Sequence, residues 1–131
     1  MKRALALLFL MSFVVPSSAD ERTFPFTAQE DSDGARFVWF IYKQAGFYYD
    51  YLPAKDLPKS PRLKPAPRNK PQPGDVAWWK QFVAIYEPNA PQKFGVPEGS
   101  NLLTAPEVVS LRTLEMRYGP VTWLRYEKPE K

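Results

Sequence analysis

Residues 58–73 hold six prolines, and they split the chain into two stretches of different character. Proline fixes φ and removes a backbone donor, so this segment predicts neither a helix nor a central strand. It also carries Lys59, Arg62, Lys64, Arg68 and Lys70, with no acidic residue. An extended surface loop is the expected form. A solvated connector needs no more than this composition, whereas a basic lip attracting an anionic polymer would use the charge.

Upstream of the prolines the pattern is helical. Residues 35–45 contain an unbroken apolar run from Phe37 to Tyr42 and end at Gly46. Ser32 or Asp33 is placed to cap the N-terminus, and Gly46 suits a left-handed C-terminal cap. The run has no amphipathic stripe, which predicts a helix buried on most sides. A buried strand competes, because the residues are β-branched and aromatic, but length and caps favour the helix. Residues 47–57 follow as an aromatic-rich connection with Tyr48, Tyr49 and Tyr51.

Downstream the chain reads as strands. Pro73-Gly74 marks a turn, and strands are expected at 75–79 and 81–87. In the second, Phe82, Ala84 and Tyr86 share one face and Val83 and Ile85 the other. Both faces are apolar, which predicts a strand covered on both sides. Residues 89–100 read as loop. Short strands are expected at 101–104 and 108–111, one helical turn at 113–118, and a closing strand at 121–126. One buried helix followed by a run of strands gives an α+β fold, the helix packed on a small antiparallel sheet.

The start of the chain reads as an export signal. Lys2 and Arg3 precede an apolar run at 4–15, and the small residues Ser17 and Ala19 occupy the two positions a signal peptidase reads. The run is too short to span a bilayer core of about 30 Å as a helix. The expected organisation is a signal at 1–19 cleaved after Ala19, an extended acidic lead-in at 20–33, and one domain at 34–131. The product would be periplasmic or secreted, with no transmembrane segment once the signal is removed.

The chain contains no cysteine and no histidine. An exported domain of this size must then be held by its core rather than by disulfides. An aromatic content of 15% helps, because these side chains bury large areas each. Catalysis that depends on Cys or His is excluded, and so are the usual zinc sites. The formal charge is +4, of which the signal supplies two. That is below the level of a nucleic-acid binder. No phosphate loop is present, and no cofactor is expected. Glu30, Asp31 and Asp33 cluster without a calcium-loop signature, so no metal is expected either. Asp75 and Glu87 are carboxylates of the kind a glycosidase pairs, yet nothing in the sequence links them; Asp75 suits the Pro-Gly-Asp turn.

Three segments together resemble the NlpC/P60 cell-wall peptidases. Pro73-Gly74-Asp75-Val76-Ala77-Trp78-Trp79 with Phe82-Val83-Ala84-Ile85-Tyr86 resembles that family's P-G-D and H-V-G-I-Y core. Asp33-Gly34-Ala35-Arg36-Phe37-Val38, with the run to Ala45-Gly46, resembles its D-C-S segment and the helix that follows. Gly119-Pro120-Val121-Thr122-Trp123-Leu124-Arg125-Tyr126 is similar to the closing strand of some members. The resemblance implies a compact papain-like fold. It also implies a cysteine at the helix start, where the helix N-terminus favours a thiolate, and a histidine base on the second strand. Those positions fall on Gly34 and Phe82. The group that orients the histidine would lie near 89–92. Glycine has no side chain and phenylalanine takes no proton, so the resemblance implies the fold without the activity: a pseudoenzyme that binds the peptidoglycan stem peptide and does not cut it.

Asp33 falls on the acid before the nucleophile, which in several members helps to bind the free amino end of the stem peptide. The local reading of Asp33, a helix N-cap, needs no ligand and is favoured. Arg36, Trp79 and Tyr86 complete the candidate ligand-binding set. Trp78 and Trp79 put one indole on each face of their strand; core packing is the default for both, and one could instead line a groove or stack on a sugar ring. Two other readings stand. The chain could be an exported interaction protein that binds or regulates another envelope protein through the aromatic and basic surface at 47–70. It could also be a rewired hydrolase using Ser32 or an Asp/Glu pair.

Overall fold

The structure is a computed structural model, and it describes residues 31–92, 99–104 and 107–128. The expected signal at 1–19 and the lead-in up to residue 30 lie outside the described residues.

Helix α1 spans Ala35–Gln44. Its first turn is held by two aspartates. Asp33 Oδ1 accepts from the Ala35 N–H at 2.9 Å, and Asp31 accepts from Arg36 and Phe37 at 2.7 and 3.1 Å. These bonds satisfy donors that a helix start otherwise leaves open. At the other end the Phe47 N–H donates to Tyr42 O at 2.8 Å and the Gly46 N–H to Lys43 O at 3.0 Å. Gly46 has φ 89°. This is the left-handed Schellman ending that glycine permits without a Cβ penalty. Ala35, Phe37, Val38, Ile41 and Tyr42 are buried, while Trp39 and Phe40 are half-buried against the same core.

The proline-rich segment is more structured than its composition predicts. A 3-10 helix runs over Ala54–Lys59 and buries Ala54 and Leu57. Strand β1, Leu63–Pro65, follows inside the segment expected to be plain loop. The correction has a simple cause. β1 is an edge strand with a single neighbour, and proline is tolerated where no ladder donor is needed. Leu63, only 1% exposed, anchors it in the core.

The remaining strands are β2 (Val76–Trp79), β3 (Phe82–Tyr86), β4 (Asn101–Leu103), β5 (Val108–Ser110) and β6 (Thr122–Tyr126). They form one six-stranded sheet in the order β1-β6-β2-β3-β4-β5. Every neighbouring pair is antiparallel. The fold is therefore α+β, a mixed arrangement of helices on an antiparallel sheet.

Strand alternation sends Val76, Val83, Ile85, Leu103 and Leu124 into one core with Phe37, Val38 and Ile41 of α1. Ala77, Trp79, Ala84, Leu102 and Trp123 form a second core on the other face with Leu114. Leu114 belongs to helix α2, Leu111–Tyr118, which is longer than the single turn expected at 113–118. Ser110 caps it, its Oγ accepting from the Thr113 N–H at 3.1 Å. Among the described residues, no helix is long and apolar enough to cross a membrane.

Candidate functional site

The start of α1 meets the start of β3 at one corner of the sheet. The Val83 N–H donates to Asp33 O at 2.9 Å and joins the two elements. Gly34 sits between them with φ +78°. A Cβ there would lie 2.4 Å from Val83 O, with Phe82 ring carbons at 3.3 and 3.4 Å. No side chain fits in that space, and L-residues rarely adopt that φ. The two positions that the resemblance pairs, Gly34 and Phe82, are thus in contact. The Phe82 ring stacks on Tyr118 with centroids 5.5 Å apart, and Tyr118 packs against Trp79 at 5.9 Å. The corner is filled by the Phe82, Tyr118 and Trp79 rings.

Asp33 lies beside this corner. Its Oδ1 caps α1, and its Oδ2 accepts from the Ala54 N–H at 2.9 Å. The carboxylate therefore ties α1 to the 3-10 helix, and each oxygen holds a backbone donor. The N-cap position itself falls on Gly34 rather than on Ser32 or Asp33 and makes no side-chain cap bond; Asp33, one residue earlier, still holds the first helical N–H and adds a tertiary bond. Asp31 beside it is half-buried. Burial pushes its pKa up to about 6, against the pull of the Arg36 and Phe37 N–H groups, and the Asp33 charge adds to the rise. Ser32 is exposed on the turn between them.

Arg36 turns towards the aromatic connection. Its guanidinium lies 4.6 Å from the Tyr51 ring centroid, within the range of a cation–π contact. Its Nε is buried without a hydrogen-bond partner. Tyr51 meets Trp39 edge-on at 6.1 Å, and the Trp39 indole donates to Tyr49 O at 3.0 Å. Trp79 is 3% exposed, and its indole N–H donates to Gly119 O at 2.7 Å. Trp78, on the opposite face, donates to Ala54 O at 2.6 Å. Both indole donors are spent inside the protein. Tyr86 is half-buried and packs edge-on against Trp123 at 4.9 Å. Burial raises its hydroxyl pKa. It shares a face with Phe82 but lies four residues along β3, a distance of roughly 13 Å at strand rise. Asp33, Gly34 and Phe82 come together, with Trp79 reached through Tyr118. Arg36 and Tyr86 point to separate neighbourhoods.

The two carboxylates that the sequence left unlinked have different fates. Asp75 holds Arg125 through two bonds, Nε to Oδ1 and Nη2 to Oδ2, both 2.9 Å, and also accepts from the Gln72 N–H at 2.7 Å. This forked pairing fixes the Pro-Gly-Asp turn onto β6. Glu87 is 2% exposed, and its Oε2 has no partner. Burial pushes its pKa up to about 8. The buried Tyr42 hydroxyl donates to Gly74 O. Its pKa is raised first by burial, then by the charges of Asp75, Tyr49 and Glu87. Asp75 is committed to Arg125, so the pair does not form the open two-carboxylate arrangement that glycoside hydrolysis uses.

Sequence reasoning named Asp31 only as part of an acidic cluster and missed its hold on the start of α1, and it did not foresee the Arg125 ion pair or the solitary burial of Glu87. Only the β-strand phase of Arg125, opposite Lys64 and next to β2, could have signalled the ion pair with Asp75. Among the described residues, no group of three or more carboxylates is placed to hold a metal. Compared with known proteins, the chain matches no family model, no curated protein and no solved structure.

Proposed function

We propose that the chain is an exported, catalytically silent NlpC/P60-like domain that binds the stem peptide of peptidoglycan without cleaving it. The observation that carries this reading is the corner where Gly34 and Phe82 touch. A helix start and a strand start meet there, the two elements on which the resemblance puts the nucleophile and the base, and neither position holds an ionisable group. Asp33 supplies a negative charge beside that corner, suited to a peptide amine, while its direct bonds go to the backbone.

Co-sedimentation of the protein with purified peptidoglycan tests the reading, with released muropeptides assayed in the supernatant. Pelleting without release is the expected result. Release of muropeptides, or no pelleting at any salt concentration, overturns it. Export is tested separately: the protein recovered from the cell envelope or medium should begin at Asp20.

A second reading, an exported protein that docks on another envelope protein, is favoured by one specific observation. Arg62, Lys64, Arg68 and Lys70 have no carboxylate within 4 Å among the described residues.

A further inference from the structure

The basic segment is a built strip rather than a floppy loop. Leu57 and Leu63 are fully buried beneath it, and Ser60 is buried with its Oγ accepting from the Arg62 N–H at 3.1 Å. β1 is paired along its length with β6. Beyond β1, the Ala66 N–H donates to Trp123 O at 2.9 Å, and an Arg125 Nη donates to Lys70 O at 3.3 Å. The chain is thus fastened at both ends of the strip. Its prolines remove much of the remaining freedom.

The charges on this frame are unbalanced. Lys59 reaches Asp56 at 3.3 Å, but Arg62, Lys64, Arg68 and Lys70 reach no carboxylate among the described residues. Lys64 stands opposite Arg125, a like charge, an arrangement that is unfavourable unless one partner is neutralised. Asp75 neutralises Arg125 and leaves Lys64 free. Lys64, Arg68 and Lys70 are exposed, and Arg62 is half-buried.

We propose that this strip docks an extended acidic peptide segment of another exported protein. The inference deepens the second reading and is independent of the first. Three features select the partner. Arg62, on the turn just before β1 with its O accepting from the Glu127 N–H, stands two residues from Lys64, roughly the 6.5–7 Å interval of alternate residues in an extended peptide. The strip alone carries five positive charges while the whole chain has a net charge of only +4, so the rest of the molecule is slightly negative. Such a field attracts a short acidic segment and gives no general attraction for a long polyanion. The exposed large hydrophobic residues among those described are Tyr48 and Met116, both outside the strip, so it has no apolar wedge for a bilayer. Pro65 has no N–H, and the Leu63 N–H is already donated to Ser60 O, so recognition runs through side chains rather than by adding a strand.

The test is fluorescence anisotropy of a labelled peptide of alternating Glu and Ser, read with the purified protein at low and high salt. Binding that weakens with salt is expected, because exposed charges carry it. Lys64→Gln with Arg68→Gln should weaken binding roughly fivefold, the sum of two exposed ion pairs. Lys80→Gln, an exposed cation outside the strip, should leave it unchanged. The proposal is overturned by any of three results. These are no binding at low salt, equal loss in the Lys80 variant, or binding of inorganic polyphosphate or anionic vesicles as tight as that of the peptide. Pelleting with peptidoglycan by the double variant reports on the first reading alone.

Discussion

Gly34 is the residue on which the corner between α1 and β3 depends. With φ +78° and Val83 O 2.4 Å from any Cβ, it has no tolerance for a side chain. Gly34→Ala should destabilise the protein by about 2 kcal/mol or more, since both backbone strain and a clash with a carbonyl are imposed. Gly34→Cys should show the same loss in denaturant melts and no hydrolysis of muropeptides. A Gly34→Ala protein as stable as the parent would contradict this description of the corner. Glu87 makes the opposite case, a residue with too little around it. Its carboxyl holds a proton to about 8 when folded and ionises near 4.5 when exposed. The stability carried by the neutral form is complete below 4.5 and is lost as pH rises through about 8. Asp31, raised from 3.8 to about 6, acts in the same direction over a lower window. Thermal melts from pH 5 to 8 should therefore show a falling midpoint, and Glu87→Gln should flatten much of that fall. A parent midpoint that rises over this range would contradict the burial argument.

At the scale of elements, what was legible was local. The ends of α1 follow in part from residues within a few positions: Asp33 before it and Gly46 after it were legible, whereas the bonds of Asp31 to the first turn were not. The two-sided sheet follows from the apolar faces of β3. β1 was not legible, because nothing local marks Leu63–Pro65 as a strand; its partner β6 lies some sixty residues further on. α2 was read short because Leu111 was assigned to the preceding strand and Arg112 to neither element, whereas the Ser110 cap starts the helix there. Within the candidate site, the contact of Gly34 with Phe82 was legible only through a resemblance. The burial of Trp79 and the turning of Arg36 to Tyr51 depend on packing that strand phase alone does not fix. Leu63→Ala tests the account of β1. It should cost about 3 kcal/mol, as for a fully buried leucine, and free the strip from β6. Faster amide exchange in β1, with β2 and β3 protected, is the expected signature; uniform exchange across the sheet would sink it.

For the whole molecule, the sheet order carries a consequence in time rather than in space. β6, the final strand, inserts between β1 and β2. The first-made edge therefore cannot close until the chain has been made as far as β6, and closure must span all the elements between Leu63 and Tyr126. Contacts so distant in sequence form slowly, because chain entropy is lost before they contribute. The β2–β3 hairpin, with a tight connection at Lys80 and Gln81, can form early. A nascent chain would hold that hairpin with its basic strip unzipped, and completing the C-terminal strand acts as the latch.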